Sequence, residues 1–161
     1  MDALDATLLD LFAREPRIGV LEASRRLGVA RGTVQARLDK LEARGIVTGW
    51  GPDLDPQALG YPVTAFLTLE IRQDATDAGH DKVAARLEQV PEVLEAYTIT
   101  GAGDMWVRVV ARSNADLQRV IDRVLVDPAI VRSTTVIGLA RQVGYRVLPL
   151  ARAAPQPDDN E

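Results

Sequence analysis

The chain has 161 residues, of which 47% are hydrophobic and 26% are charged, a balance typical of one or two small globular domains. It contains no cysteine, which excludes a disulfide framework and any cysteine-based nucleophile or metal site. No apolar run reaches the roughly 18 residues of a membrane span, and the acidic start is unlike a secretory signal, which favours a cytoplasmic protein.

The net charge of −4 is unevenly distributed along the chain. Residues 1–50 contain eight Lys and Arg against seven Asp and Glu, whereas residues 51–161 contain 11 against 16. Within residues 24–44 there are six basic side chains and only two acidic ones. The distribution of charge matters more than its sum for a nucleic-acid partner, so this segment is the first candidate for one.

Three helical patterns fill the first 45 residues. Apolar residues recur at helical spacing over residues 4–12, and the proline of EPRIG ends that element. A short second helix closes at Gly28, since glycine tolerates the left-handed cap conformation. A third helix is predicted over residues 30–44. Its buried face consists of Val34, Leu38 and Leu41.

Two helices joined by a short turn with a glycine are typical of a helix-turn-helix, although ordinary helical bundles use the same turn. The other face of the third helix favours DNA binding, because its side chains are basic or hydrogen-bonding and few acidic residues accompany them. A solvated helix face is the alternative. The candidate DNA contacts are Arg25, Arg26, Arg31, Thr33, Gln35, Arg37 and Lys40.

These candidates have different expected roles. The start of a recognition helix usually reaches base edges in the major groove, which assigns Arg31, Thr33 and Gln35 to readout. Arginine can pair with guanine and glutamine with adenine, each contributing about 1–3 kcal/mol of discrimination. Arg37 and Lys40 are expected to contact phosphate, which gives affinity without sequence information. The two arginines of the second helix are expected to do the same.

Residues 51–62, GPDLDPQALGYP, are rich in proline and glycine and have no amphipathic period, so they predict a hinge. Strand and helix patterns then follow in the order β-α-β-β-α-β. This order is typical of the ferredoxin-like arrangement, in which four antiparallel strands carry two helices on one face. The strands are predicted at 63–71, 93–100, 105–112 and 130–140, and the first helix at 80–90. The second helix starts with Ser113 or Asn114 as its cap, and its apolar face consists of Leu117, Val120, Ile121, Val124 and Leu125.

The segment TGAGD, residues 100–104, connects the second and third strands. It is not a dinucleotide-binding loop, because Trp106 stands where a third glycine belongs and a strand follows instead of a helix. A plain hairpin turn explains one glycine well and Asp104 less well. Alternatively, freed N–H groups hold a carboxylate and Asp104 accepts from an α-ammonium, which makes an amino acid the candidate effector. The candidate effector residues are Thr100, Gly101, Ala102, Gly103 and Asp104, with Thr134 and Thr135 of the last strand as weaker ones.

The sequence contains no residue pattern that indicates a catalytic site. His80 is the only histidine, and it lies in the charged stretch DAGHDK without a serine partner or a metal-ligand pattern. We therefore expect no enzyme activity, no metal and no cofactor. A ligand-sensing subunit that regulates an enzyme through protein contacts, without DNA, is the alternative function, and the basic third helix counts against it.

The segment LDATLLDLFAREPRIGVLEASRRLGVARGTVQARLDKLEARGIVTGWGPDLDPQALGY resembles the winged helix-turn-helix and hinge of the leucine- and asparagine-responsive regulators of bacteria and archaea, the Lrp/AsnC family. VPEVLEAYTITGAGDMWVRVVARS is similar to the core of that family's ligand domain. The resemblance covers roughly residues 3–145. It implies a DNA-binding transcription regulator that forms homodimers through its ferredoxin-like domains, often assembled into octamers or other rings. It also implies a small effector, usually an amino acid, bound between subunits near the glycine turn.

Two departures from the family pattern concern the third helix. The family often begins this helix with a serine cap followed by proline, where this chain has Ala30 and Arg31, and an arginine common in mid-helix is replaced by Ala36. These changes affect the target sequence, not the DNA-binding role. The predicted architecture is α+β, with a winged helix-turn-helix at 1–50, a hinge at 51–62, a ferredoxin-like domain at 63–148 and a disordered tail at 149–161. A dimer of this kind predicts a roughly palindromic operator in double-stranded DNA.

Overall fold

The computed structural model describes residues 1–72 and 78–153. They separate into two compact units, one containing residues 1–52 with the segment from Val143 onward, the other containing residues 53–142. The helices are α1 (Ala3–Arg14), α2 (Val20–Leu27), α3 (Arg31–Ala43), α4 (Ala78–Leu87), α5 (Asn114–Val124) and α6 (Leu148–Ala153). The strands are β1 (Val63–Ile71), β2 (Val93–Thr98), β3 (Met105–Ala111) and β4 (Ile130–Gly138). None of the described helices is long and apolar enough to cross a membrane.

The first unit is built around an apolar core shared by α1, α2 and α3. Each helix directs one stripe of apolar residues inward, as the helical period of the sequence predicts. Burial of a large apolar side chain contributes about 1.5–3 kcal/mol, so this cluster is the main source of stability in the unit. The buried members are Leu8, Phe12, Ala23, Val34, Leu38 and Leu41.

Helix α1 begins with a reciprocal cap. The Asp2 carboxylate accepts a hydrogen bond from the Asp5 N–H at 2.9 Å, and the Asp5 carboxylate accepts from the Asp2 N–H at 3.0 Å. Two backbone donors that a helix start leaves without partners are satisfied in this way. Asp5 is also buried, and a buried carboxylate needs a positively charged partner.

Helices α2 and α3 are joined by the predicted tight turn. Gly28 takes the left-handed conformation with φ of 66°, which glycine adopts without the strain that other residues meet. The Val29 N–H donates to the Ser24 carbonyl at 3.1 Å and closes the turn. Helix α3 then starts with Ala30 as its N-cap. The predicted helix-turn-helix is confirmed.

The segment after α3 differs from the expected wing. Residues 45–52 contain no strand, and within the described chain they pair with none. Trp50 instead turns back onto the helices, where its ring meets that of Phe12 edge-on with centroids 5.3 Å apart. Its indole N–H donates to Glu42 Oε1 at 2.6 Å. Aromatic packing and one hydrogen bond therefore hold this segment in place of a β-ladder.

The C-terminal segment also differs from the expectation of a patternless tail. Residues Leu148–Ala153 form α6, which packs against α1, and Arg152 pairs with Asp10. A six-residue helix is unstable by itself, so its contact with α1 and the Arg152–Asp10 ion pair support it, although none of its residues is buried. Residues 154–161 of the predicted tail lie outside the described residues.

The second unit contains the predicted four-stranded antiparallel sheet, with strand order β2-β3-β1-β4. Helices α4 and α5 pack on one face of it, which completes the ferredoxin-like β-α-β-β-α-β order. Side chains of a strand alternate between the two faces, and alternate residues of β1 and β3 are fully buried under the helices. The predicted α+β fold class is confirmed. The core under the helices consists of Ala65, Leu67, Leu69, Ile71, Val83, Leu87, Met105, Val107, Val109, Ala111, Leu117, Val120 and Val124.

Candidate nucleic-acid interface and effector loop

The side of α3 that points away from the core carries several of the predicted DNA contacts. Arg31, Thr33, Gln35 and Lys40 are all exposed. The Gln35 amide donates to Asp39 Oδ1 at 2.8 Å, one turn further along the helix. Arg31 and Lys40 form no ion pair within the described residues. Both cations are therefore available to a polyanion.

The start of α3 is suited to an anion. Ala30 has no side-chain acceptor, so the first N–H groups of the helix have no side-chain partner, and the first turn contains no acidic residue. Unpaired N–H groups and the helix dipole together favour a phosphate at such an end.

Arg37 occupies a different position from the one expected of a phosphate contact. Its Nη1 donates to Asp2 Oδ2 and to Asp5 Oδ1, both at 2.6 Å, and its side chain is 29% exposed. A contact with DNA phosphate would break these two ion pairs. The hydrogen bond from Arg37 lowers the pKa of Asp2 below its ordinary value, and the two carboxylates raise the pKa of Arg37. The interaction favours the charged form of both partners.

The two arginines of α2 are paired as well. Arg26 bonds to Glu15 and, through Nε, to Glu22 at 3.1 Å, which raises the pKa of the guanidinium. Arg25 lies 3.7 Å from the Glu22 carboxylate. Their positive charge is partly neutralised on the protein, which weakens the case for strong phosphate contacts from α2.

Residues 100–104 form the predicted turn between β2 and β3. Gly101 and Gly103 have φ of 105° and 122°, which L-amino acids rarely adopt. A Cβ on Gly103 would lie 2.4 Å from Thr68 Cγ2 and 3.3 Å from the Leu69 carbonyl oxygen, whereas a Cβ on Gly101 would meet open space. Gly103 is therefore required both by its backbone conformation and by its contact with β1.

Asp104 ties this turn to the end of β1. Its backbone N–H donates to the Leu69 carbonyl at 2.8 Å, and its Oδ2 accepts from the Ile71 N–H at 2.7 Å. A structural role explains the aspartate that a plain hairpin left unexplained. Its Oδ1 makes no hydrogen bond within the described residues. The N–H groups of residues 100–102 likewise have no acceptor in that part of the chain.

Thr134 and Thr135 do not share a face of the sheet. Thr134 lies opposite Thr68, on the uncovered face against which Gly103 packs. Thr135 lies opposite Leu67, on the face that the helices cover. Only Thr134 is in position to join a site beside the turn.

The uncovered face of the sheet carries a row of aromatic rings. Phe66 and Trp106 stack with centroids 5.2 Å apart, and Tyr97 lies 5.9 Å from Trp106. Val136, opposite Phe66 on β4, is 61% exposed. We call this surface the aromatic face. The sequence named Trp106 only in excluding a dinucleotide-binding loop and did not predict this row of rings, although the period-two alternation of the strands contains the signal.

Two surface cavities of the described chain lie away from the turn. One of about 330 Å³ is bordered by α1 and α6, and one of about 280 Å³ lies where α4 meets the ends of β1 and β4. Neither is lined by any of residues 100–104. No group of three His, Cys, Asp or Glu side chains in the described ranges has metal-binding geometry.

The chain matches known domains over most of its length. Residues 1–42 match the AsnC-type helix-turn-helix domain, and residues 64–147 match the Lrp/AsnC ligand binding domain. The regulatory protein AsnC of Escherichia coli is 32% identical over 150 residues, which span 92% of this chain and 97% of AsnC.

Solved structures give the same assignment. The structure of E. coli AsnC is similar with a TM-score of 0.82 at 31% identity, covering 92% of this chain and 99% of AsnC. A Neisseria meningitidis transcriptional regulator in complex with L-Met has a TM-score of 0.83 at 25% identity, covering 95% and 99%. These comparisons define a DNA-binding transcription regulator with a ligand-binding domain, not an enzyme. The chain belongs to the Lrp/AsnC family.

We expect Gly103→Ala to destabilise the second unit by more than Gly101→Ala does. Both variants introduce backbone strain of about 1–3 kcal/mol, but only the first adds a clash with Thr68. Urea unfolding followed by Trp106 fluorescence, with Trp50 of the first unit replaced by Phe in every variant, measures the free energy of unfolding of the second unit. In a Thr68→Ser background, which removes Cγ2, the excess cost of Gly103→Ala should shrink. Equal costs at the two glycines would contradict the close packing.

Proposed function

We propose that this regulator reads double-stranded DNA with the exposed side of the first two turns of α3. We propose further that it acts as a homodimer and that an amino acid beside residues 100–104 changes its DNA binding. The observation that carries the proposal is the combination of exposed, unpaired cations on α3 with an N-terminus free of acidic residues. The DNA that such a regulator binds lies in the cytoplasm, so we propose that the protein is cytoplasmic.

Base readout and phosphate contact are assigned to different exposed side chains by their position along α3. Arg31, Thr33 and Gln35 lie in the first two turns, the part of a recognition helix that reaches base edges. Lys40 lies five residues after Gln35 on the same helix and is suited to a phosphate at the groove wall. Arg25 and Arg26, already paired with glutamates, are secondary contributors.

We expect Lys40→Gln to weaken binding to all DNA about equally and to reduce the salt slope by about one unit. Gln35→Ala should instead relax the preference at one base pair, by about 1–3 kcal/mol. Lys82→Gln is a matched control, because Lys82 is the only other lysine and lies on α4. Gel shifts on the protein's own upstream region, over a series of salt concentrations, measure all three. Normal operator binding by a combined Arg31, Gln35 and Lys40 alanine variant would exclude α3 as the reader.

The residue composition of the aromatic face supports dimerisation through this surface. Aromatic residues are enriched in the cores of protein interfaces, and large uncovered apolar patches are rare on monomers. Two copies joined by a two-fold axis would present two α3 helices to DNA, so the operator would be roughly palindromic, with half-sites one helical turn or a multiple apart. Further assembly into octamers or other rings would use additional surfaces.

We expect Val136→Glu to convert the dimer into a monomer. An unpaired carboxylate buried in an apolar interface costs several kcal/mol, which corresponds to at least about 100-fold weaker association. Val126→Glu is the control, because Val126 is 71% exposed and lies between α5 and β4, off the aromatic face. Light scattering at micromolar concentration distinguishes the two states. A dimeric Val136→Glu protein would place the interface on another surface.

The effector site is proposed beside residues 100–104 at an interface between subunits. The N–H groups of residues 100–102 can hold a carboxylate, and Asp104 Oδ1 can accept from an ammonium group. The N. meningitidis relative in complex with L-Met supports an amino acid as the ligand class. A ligand shared by two subunits favours one assembly over another, with a typical coupling of about 1–3 kcal/mol to DNA binding.

A thermal-shift screen of the twenty amino acids is expected to identify at least one that raises the Tm. Asp104→Asn should then weaken that ligand by about 10- to 100-fold, because it removes the charge but keeps an acceptor for the Ile71 N–H. Asp81→Asn on α4 removes the same charge away from the turn and should leave the ligand response unchanged. An unaltered midpoint in Asp104→Asn would limit Asp104 to its structural bond.

A further inference from the structure

Arg37 connects α3 to α1 through two short ion pairs. A single nitrogen of Arg37 lies 2.6 Å from an oxygen of Asp2 and from an oxygen of Asp5. Asp5 is buried, and Asp2 is the N-cap of α1. The guanidinium therefore joins the first turn of α1 to the middle of α3, across 32 and 35 residues of sequence.

We propose that Arg37 is a positioning residue for DNA readout: with Asp2 and Asp5 it sets the orientation of α3 on α1, so that Arg31 and Gln35 meet the base edges. The proposal rests on the proposed reading of DNA by α3. It assigns to Arg37 a role other than the phosphate contact that its basic character suggests.

Directional bonding is the reason for assigning this role to the ion pairs rather than to the apolar core. Apolar packing between α1 and α3 is non-directional and tolerates small rotations of one helix against the other. A charge-assisted hydrogen bond at 2.6 Å has strict distance and angle requirements. Arg31 lies six residues before Arg37, about 9 Å along the helix at 1.5 Å per residue. A rotation at Arg37 is therefore transmitted directly to the reading side chains.

The phosphate role and the positioning role predict opposite effects of the same substitution. Asp2→Asn keeps the N-cap, because asparagine caps helices as well as aspartate does, but removes one of the two charges that hold Arg37. If Arg37 contacted phosphate, the loss of one competing carboxylate would make it more available, so binding to all DNA would tighten and the salt slope would steepen. If Arg37 positions α3, the change weakens operator binding alone.

The experiment compares wild type, Asp2→Asn and Arg37→Lys, each in the full chain with any purification tag placed after residue 161, so that Asp2 keeps its place. Operator and unrelated DNA of equal length are titrated over a series of salt concentrations, at a temperature where circular dichroism shows every variant folded. Arg37→Lys keeps the positive charge, but lysine lacks the planar fork of arginine. Asp10→Asn is the control for loss of a carboxylate from α1 outside the network.

We expect Asp2→Asn and Arg37→Lys each to lower the ratio of operator to unrelated affinity about tenfold, with the salt slope unchanged. Loss of stability alone would lower the Tm without changing this ratio. An unchanged ratio, or tighter binding to both DNAs with a steeper slope, would overturn the positioning role and leave the proposed function standing. A wild-type protein without salt-dependent binding to any DNA would overturn the proposed function and this role with it.

Discussion

The uncovered face of the four-stranded sheet is the constraint on which the second unit depends. Two helices bury the side of Leu67 and Val107, whereas no other described element of residues 53–142 packs over the stacked rings of Phe66 and Trp106. Removing such rings from water is favourable by about 25 cal/mol for each Å². In the proposed dimer, a second copy of the chain covers these rings. Gly103 packs against Thr68 at the end of the same face, so dimer and effector proposals concern one continuous surface.

The first unit has fewer cations available for DNA than its composition suggests. Six basic residues lie within 24–44, but Arg25, Arg26 and Arg37 are paired with carboxylates of the same unit. The remaining three cations form no ion pair within the described residues. One chain therefore offers few phosphate contacts, and the proposed dimer on a palindromic operator would double that number. An acidic chain can bind DNA in this way because the unpaired cations lie on one helix.

The turn at residues 100–104 has a structural role in the same segment to which the effector proposal assigns ligand binding. Asp104 fixes the end of β1 with one carboxylate oxygen, so a ligand bound to the other oxygen, as proposed, would act directly on that strand. Neighbouring Gly103 leaves no room for a side chain against β1. Because the turn packs tightly against β1, a bound ligand could not displace the turn alone. Its effect would therefore be transmitted to the strand and, in the proposed assembly, to the neighbouring subunit.

The periodicity of the sequence was sufficient to predict helices α1 to α5 and the four strands, because burial on one side of an element repeats every 3.6 or every two residues. It predicted β1 at residues 63–71 to the residue and the glycine turn between α2 and α3. The same alternation along β4 implies that the side chains of Thr134 and Thr135 lie on opposite faces of the sheet.

Tertiary structure alone decided which charged side chains are available to a partner. Arg37 looks like any basic residue of an exposed helix until α1 places Asp2 and Asp5 beside it. The helix α6 and the return of Trp50 onto Phe12 likewise depend on surfaces contributed by α1. Local patterns report how each element is buried, whereas ion pairs between residues more than 30 positions apart form only after the helices have packed.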